Sequence, residues 1–294
     1  MKQSIGIVAL EWMTLCGAWS IIRSKRMGNK MSDGTQSIER ATSILRVLAT
    51  RSRFGWGLTD LSNACGLKKA TTRRILARLE KEGLVFRREE GARYFLGSLL
   101  GELSMSVHGF HRFVAEAQES VTELSRSLSL VAILSIRSGD HFVVGARVAT
   151  SRIKGELNEV GARRPLISTA GGIAILAALP EEEQETIGNA NLALLSRPGK
   201  ARLDPYSAMW VRAKARGYGT NLGDIAPGVN AVAVAAINSL GRPIASVTLA
   251  GPEGQLSIAK CEALVPTISH ECSRIIKMAS QVHPSLYEQP VTPN

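Results

Sequence analysis

The stretch LKKATTRRILARLEKEG, Leu67 to Gly83, constrains the fold more than any other part of the chain. Ile75, Leu76 and Leu79 recur at i, i+1, i+4, which gathers them on one side of a 3.6-residue helix. Lys69, Ala70, Thr71, Arg73, Arg74 and Lys81 fall elsewhere on the wheel, so the remaining face is cationic and rich in small residues. A charge run on a helix is ordinarily no more than solvated surface, and its neighbours must decide whether this one is more.

Upstream, SIERATSILRVLA (37–49) places Ile38, Ala41, Ile44, Leu45 and Leu48 on one helical face, with Ser37 in position to cap it. Thr59 is placed to cap a short second helix, DLSNAC, which ends at Gly66, a residue suited to the left-handed conformation of a tight turn. The third helix is expected over Lys69 to Lys81 and stops at Gly83. Beyond it, LVFRREEGARYFLG alternates apolar and polar residues on either side of Glu90 and Gly91, the pattern of a β-hairpin. Helix, helix, turn, helix and hairpin over residues 37–97 make a winged helix-turn-helix.

In that arrangement the last helix enters a DNA major groove with its N-terminal half against the bases. Lys68, Lys69, Ala70, Thr71, Thr72, Arg73, Arg74 and Arg78 are the candidate contacts there. Arg73 or Arg74 can read guanine O6 and N7, while Lys68, Lys69 and the Thr71 or Thr72 hydroxyl can hold phosphates. Thr59 offers a helix start to a phosphate, and Arg87, Arg88 and Arg93 on the wing add electrostatic attraction. Charge distribution agrees. Residues 37–97 carry 13 Lys/Arg against 6 Asp/Glu, whereas residues 110–283, nearly three times as many, carry 18 against 15. The excess of a chain at +11 is therefore concentrated where a polyanion would dock.

Residues 98–112 read as a linker helix, with Gly101 and the Gly109 region as soft points in a helical stretch that runs on to about Leu128. Residues 113–283 then alternate strands and helices. VAILSIRSGDHFVVGARV is a hairpin turning at Ser138-Gly139-Asp140, STAGGIAILAAL is a small-residue helix halted by Pro180, and Asp204-Pro205 open a helix that ends at Gly217. VNAVAVAAINSLGRPIASVTLAG is a second hairpin, and Ser257 starts a last helix to about Ala279. Hairpins with helices packed on one sheet define an α+β domain. Residues 284–294 read as a loose tail.

Two sets of motifs carry a family resemblance. SIERATSILRVL, LTDLSNACGLKKATTRRILARLEKEGLV and YFLGSLL resemble the N-terminal domain of the IclR family of bacterial transcriptional regulators. VGARRPLISTAGGIAILAAL, RAKARGYGTNLGDIAPGVNAVAVAAI and GRPIASVTLAGP resemble the segments of its C-terminal domain. Over residues 37–280 the resemblance implies a winged-helix dimer, or a dimer of dimers, on double-stranded operator DNA, with a GAF-like domain that binds a small organic effector. It places Ala170, Gly171, Asn221, Ala231 and Thr248 in the effector pocket, where Ser168, Thr169, Asn221, Ser246 and Thr248 are the few polar groups. Such a pocket suits a compact or aromatic acid. Where the family commonly has a lysine this chain has Ile173, and Gly223 and its neighbours stand where an acid is usual. Without the resemblance, the small residues read as close packing of helix on sheet.

No catalytic constellation is visible. His108 and His111 have no further ligand at metal spacing, and His270, Glu271 and Cys272 are adjacent on a helix and so point in different directions. His141 reads as a strand residue and the acidic run at 181–185 as a helix start. Neither a cofactor nor a metal is implied. Cys16, Cys65, Cys261 and Cys272 form no CxxC pair, which fits a reducing cytoplasm. The apolar run Ile5 to Ile22 contains Glu11 and barely reaches spanning length. Met27 or Met31 is the expected start, residues 1–36 are expected to lie outside the fold, and no membrane association is expected. The alternative reading is a ligand-binding sensor or small-molecule enzyme whose basic front domain docks a protein in place of DNA.

Overall fold

The computed structural model describes residues 33–52, 54–107, 110–149, 159–195 and 204–282. The expectations for Ile5–Ile22, the start methionines, His108, Gly109 and the tail lie outside these residues. The chain divides between Ser106 and Val107 into two compact units, inside the stretch expected as a linker.

The first unit opens with α1 (Asp33–Ala49), followed by β1 (Trp56–Gly57), α2 (Leu58–Ala64) and α3 (Lys69–Lys81). β2 (Val85–Arg88), β3 (Arg93–Leu96) and α4 (Ser98–Met105) complete it. Its core is Ile44, Val47 and Leu48 of α1 against Leu61, Leu76, Leu79, Val85, Trp56 and Tyr94. The turn between α2 and α3 is made at Gly66 with φ +63°, and α3 is stopped at Gly83 with φ +72°. The hairpin forms as expected, with Phe86 opposite Phe95 and Gly91 at φ +78° in its tip.

Four details differ from the sequence reading. α1 begins at Asp33, so Ser37 lies inside it and residues 33–36 belong to the fold. Ile38 is 68% exposed and does not share the apolar face of Ala41, Ile44 and Leu48. α2 begins at Leu58 with Gly57 at the cap position, so Thr59 is in its first turn and caps nothing. The segment between α1 and α2 contains β1, which pairs with β3 and makes the wing a three-stranded sheet in the order β1-β3-β2.

The second unit begins with α5 (Phe110–Leu128) and the hairpin β4 (Val131–Ser138) and β5 (His141–Val148). β6 (Arg163–Pro165), α6 (Ala170–Ala177), α7 (Glu181–Leu195) and α8 (Asp204–Arg216) follow. β7 (Gly219–Leu222), β8 (Val229–Ile237), β9 (Pro243–Pro252) and α9 (Ile258–Val282) close the unit. The strands form one antiparallel sheet in the order β6-β5-β4-β9-β8-β7. Strand alternation sends Ala132, Leu134, Val247 and Leu249 to one face, covered by α5 and α9, and Val131, Ile133, Ala231 and Ala250 to the other, covered by α6, α7 and α8. β6 and β7 were not foreseen; at three and four residues each they carry too little alternation to stand out.

Candidate nucleic-acid interface and ligand pocket

α3 presents two unlike faces. Thr72, Leu76 and Leu79 are buried in the core, which fixes the rotation of the helix. Lys68, Lys69, Ala70, Arg73, Arg74 and Arg78 are exposed and Thr71 half-exposed on the other side. The expected phosphate contact from Thr72 does not fit this arrangement: it is 0% exposed, and its hydroxyl donates to the Lys68 carbonyl at 3.3 Å. Arg78 pairs with Glu82 at 2.5 Å one turn on, an exposed pair of a kind worth about 0.3–0.5 kcal/mol and easily given up.

The wing arginines are arranged on aromatic rings. Arg87 lies 5.8 Å from the Tyr94 centroid and Arg88 5.0 Å from that of Phe95, which itself stacks on Phe86 at 5.2 Å. Arg93 donates to the Gly55 carbonyl at 3.3 Å and so ties the wing to the turn before β1. Stacking on rings costs a guanidinium few of its donors, leaving it able to approach a phosphate. Thr59 is exposed in the first turn of α2.

On the second unit, the structure divides the expected pocket residues into two groups. Ser168 donates to the Pro165 carbonyl at 2.7 Å, and the Thr169 hydroxyl accepts from Gly172 N–H at 3.1 Å, capping α6. Asn221 donates to the Val229 carbonyl at 3.4 Å and accepts from Ile225 N–H at 3.0 Å, which shapes the turn between β7 and β8. These three polar groups are therefore occupied within the fold. Ala170 and Ala231 are buried small residues of the core between α6 and the sheet.

Gly171, Ser246 and Thr248 do come together. A Cβ on Gly171 would stand 2.6 Å from Thr248 Oγ1, 3.0 Å from Ser246 Oγ and 3.2 Å from Ser135 Oγ. The Ser246 and Thr248 hydroxyls are fully buried and have no hydrogen-bond partner among the described residues. A buried polar group left so costs about 1–3 kcal/mol, an unusual expense to meet twice at one place. They lie beside the N-terminus of α6, where the first N–H groups have no intrahelical acceptor and the macrodipole favours an anion. Close packing explains the other glycines here: a Cβ on Gly172 would meet the Leu166 carbonyl oxygen at 2.1 Å, and one on Gly219 the Ala170 oxygen at 2.1 Å. Ile173 is fully buried, so no lysine-like cation stands at that position.

Elsewhere the chemistry is quiet. Burial pushes the thiols of Cys65 and Cys261 up to about 11 and that of Cys272 up to about 12, so all three stay protonated near neutral pH. Glu271, beside Cys272, is held by Arg274 at 3.0 Å. Among the described residues no group of three His, Cys, Asp or Glu is placed to hold a metal, and no helix is long and apolar enough to cross a membrane.

A basic winged head followed by a separate sheet domain with a polar cradle under a helix N-terminus is the layout of a ligand-responsive transcription regulator. Residues 37–89 match the IclR helix-turn-helix domain, and residues 106–278 match the C-terminal domain of bacterial IclR transcriptional regulators. The chain belongs to the IclR family; its first domain is DNA-binding and its second effector-binding. It is 30% identical over 226 residues to the glycerol operon regulatory protein of Streptomyces griseus, covering 77% of this chain and 88% of that one. The Escherichia coli regulator XynR is 28% identical over 73% of this chain and 85% of its own. Among solved structures, an IclR regulator from Alicyclobacillus acidocaldarius superposes with a TM-score of 0.65 at 20% identity, over 83% of this chain and 98% of that one. An IclR homolog from Microbacterium hydrocarbonoxydans, complexed with 4-hydroxybenzoate, gives 0.61 at 17% identity over 82% and 99%.

Proposed function

We propose that two copies of this chain, or a dimer of dimers, read a two-part operator through α3, and that binding of a small organic acid in the second domain changes their grip on it. The observation that carries the DNA half is the exposure of Lys68, Lys69, Ala70, Arg73 and Arg74 on one helix whose opposite face is locked into the core. Arg73 and Arg74 are the base-reading candidates, and Lys68, Lys69, Thr71, Arg87, Arg88 and Arg93 hold phosphates. Thr59 and Arg78 sit at the margin of this surface.

The effector half is supported by the two unpartnered hydroxyls beside the α6 N-terminus. An acid head group supplies acceptors for them and for the amides of α6 that precede Gly172, whose own N–H is taken by Thr169. The apolar walls around them suit an aromatic or short aliphatic body. The complex of one fold relative with 4-hydroxybenzoate makes aromatic acids the first compounds to try. For regulation, the acid must prefer one arrangement of the two heads, because a ligand that binds both equally shifts nothing.

Gel-shift titration of the full chain on DNA flanking its own coding region, at low salt and with and without benzoate, 4-hydroxybenzoate and pyruvate, tests the whole reading. A retarded complex whose midpoint moves with one of the acids supports it. No complex under any of these conditions removes the DNA half, and a complex indifferent to every acid removes the effector half.

A further inference from the structure

The sheet face beneath α6 is apolar almost throughout, with Val131 and Ile133 on β4, Ala231 and Ala233 on β8 and Ala250 on β9 in its core. Besides Asn221, the β7 partner of Ala231, three hydroxyls interrupt it. Ser246 and Thr248 lie two apart on β9, and Ser135 on β4 is the direct cross-strand partner of Ser246. Side chains so paired share a face with their Cβ atoms about 4.5–5.5 Å apart. Ser135 is 2% exposed. The β4–β5 register slips beside it, with Leu134 opposite Ala146 and Ser135 opposite Val144, so Gly145 is left unpaired. Bulges of this kind recur next to binding sites, where they locally re-aim the chain.

The three oxygens converge on one spot, all within 3.2 Å of the position a Cβ on Gly171 would take. An aliphatic side chain at 135 would simply continue the packing of Ile133. A hydroxyl there instead completes a triangle around Gly171, in the first turn of α6. We infer that Ser135 is a third effector-contacting hydroxyl, and that the three, acting with the α6 N-terminus, hold a carboxylate in preference to a neutral amide of the same shape. This rests on the acid-responsive reading above.

The preference follows from counting donors and acceptors. Each hydroxyl has one O–H to donate, and a carboxylate has about four lone-pair sites, enough for three hydroxyls and an α6 amide together. A carboxamide offers one oxygen and two N–H groups; the hydroxyls can accept from these, but the N–H groups of α6 cannot, and the positive end of the helix favours the charged head group. Any side chain at 171 would enter the triangle, its Cβ already 2.6 Å from Thr248 Oγ1.

The test is a thermal-shift titration of the full chain and of its Ser135→Ala and Ser135→Thr variants with acetate, pyruvate, benzoate and 4-hydroxybenzoate, with benzamide as the neutral match to benzoate. The expected result is that an acid stabilising the unaltered protein binds Ser135→Ala about tenfold more weakly or worse, with Ser135→Thr near the parent. The unliganded melting temperature of Ser135→Ala should stay at the parent's value, and benzamide should give no shift. An acid that stabilises the parent and Ser135→Ala alike overturns the assignment of Ser135 while leaving the acid reading intact. A parent that no acid in the panel stabilises overturns the acid reading itself. A drop in the unliganded melting temperature of Ser135→Ala, with no recovery of ligand response in Ser135→Thr, makes the residue structural and also overturns the assignment.

Discussion

On the proposed reading, individual side chains on α3 divide the labour between reading and holding. Arg74, exposed and unburdened by the core, is placed to make a bidentate base contact, so Arg74→Ala is expected to flatten discrimination among operator variants by roughly 1–3 kcal/mol per half-site. Lys69→Ala removes a point charge instead. It should weaken every duplex about equally and lower the salt slope by about one phosphate contact. Gel shifts over operator variants at several salt concentrations separate the two; equal losses for both variants on every sequence would contradict the assignment. Thr72 shows where residue-level reading of the sequence failed. Its hydroxyl looks like a phosphate ligand on a helical wheel, yet the threonine bonds the Lys68 carbonyl and its methyl joins the core, a choice that depends on what packs above it.

At the scale of elements, the locking of α7 onto α8 sets two effects against each other. A Cβ on Gly188 would lie 2.1 Å from Trp210 Cη2 and 2.5 Å from Cζ2. The ring cannot readily swing aside, since its N–H donates to Gln184 Oε1 at 2.9 Å. Alanine favours a helix interior over glycine by about 1 kcal/mol, but overpacking a filled core costs about 1–3 kcal/mol. With so severe an overlap the second should win. Gly188→Ala is therefore expected to lower stability by about 1–2 kcal/mol in a urea titration, and a gain would show that α7 is free to move. Elements long enough to show a period were legible in the sequence: α3, the wing and both long hairpins stand where alternation and turn residues put them. Those missed were either too short, as with β1, β6 and β7, or began in a polar segment, as did α1 at Asp33. Gly171 and Thr248 were reachable through the family resemblance. Ser135 was not, because nothing within VAILSIRS says which strand will lie beside it.

For the whole molecule, the uneven charge separates two kinds of binding. The head holds 13 basic against 6 acidic side chains, so DNA affinity should fall by orders of magnitude between about 50 and 200 mM salt. The hydroxyl cradle is buried and its described lining carries no formal charge, so acid affinity measured by calorimetry over the same range should change by no more than about threefold. Parallel salt dependences would place the acid on the head. The order of the strands gives the sheet a further role. Ser135 faces the cradle, while Leu134, its neighbour in β4, packs into the layer that includes Phe113, Ala117 and Val121 of α5. An acid bound as proposed on one side of β4 would press on the back of the very strand against which α5 rests. The sheet would then work as a thin diaphragm, with only a single peptide layer between the cradle and α5.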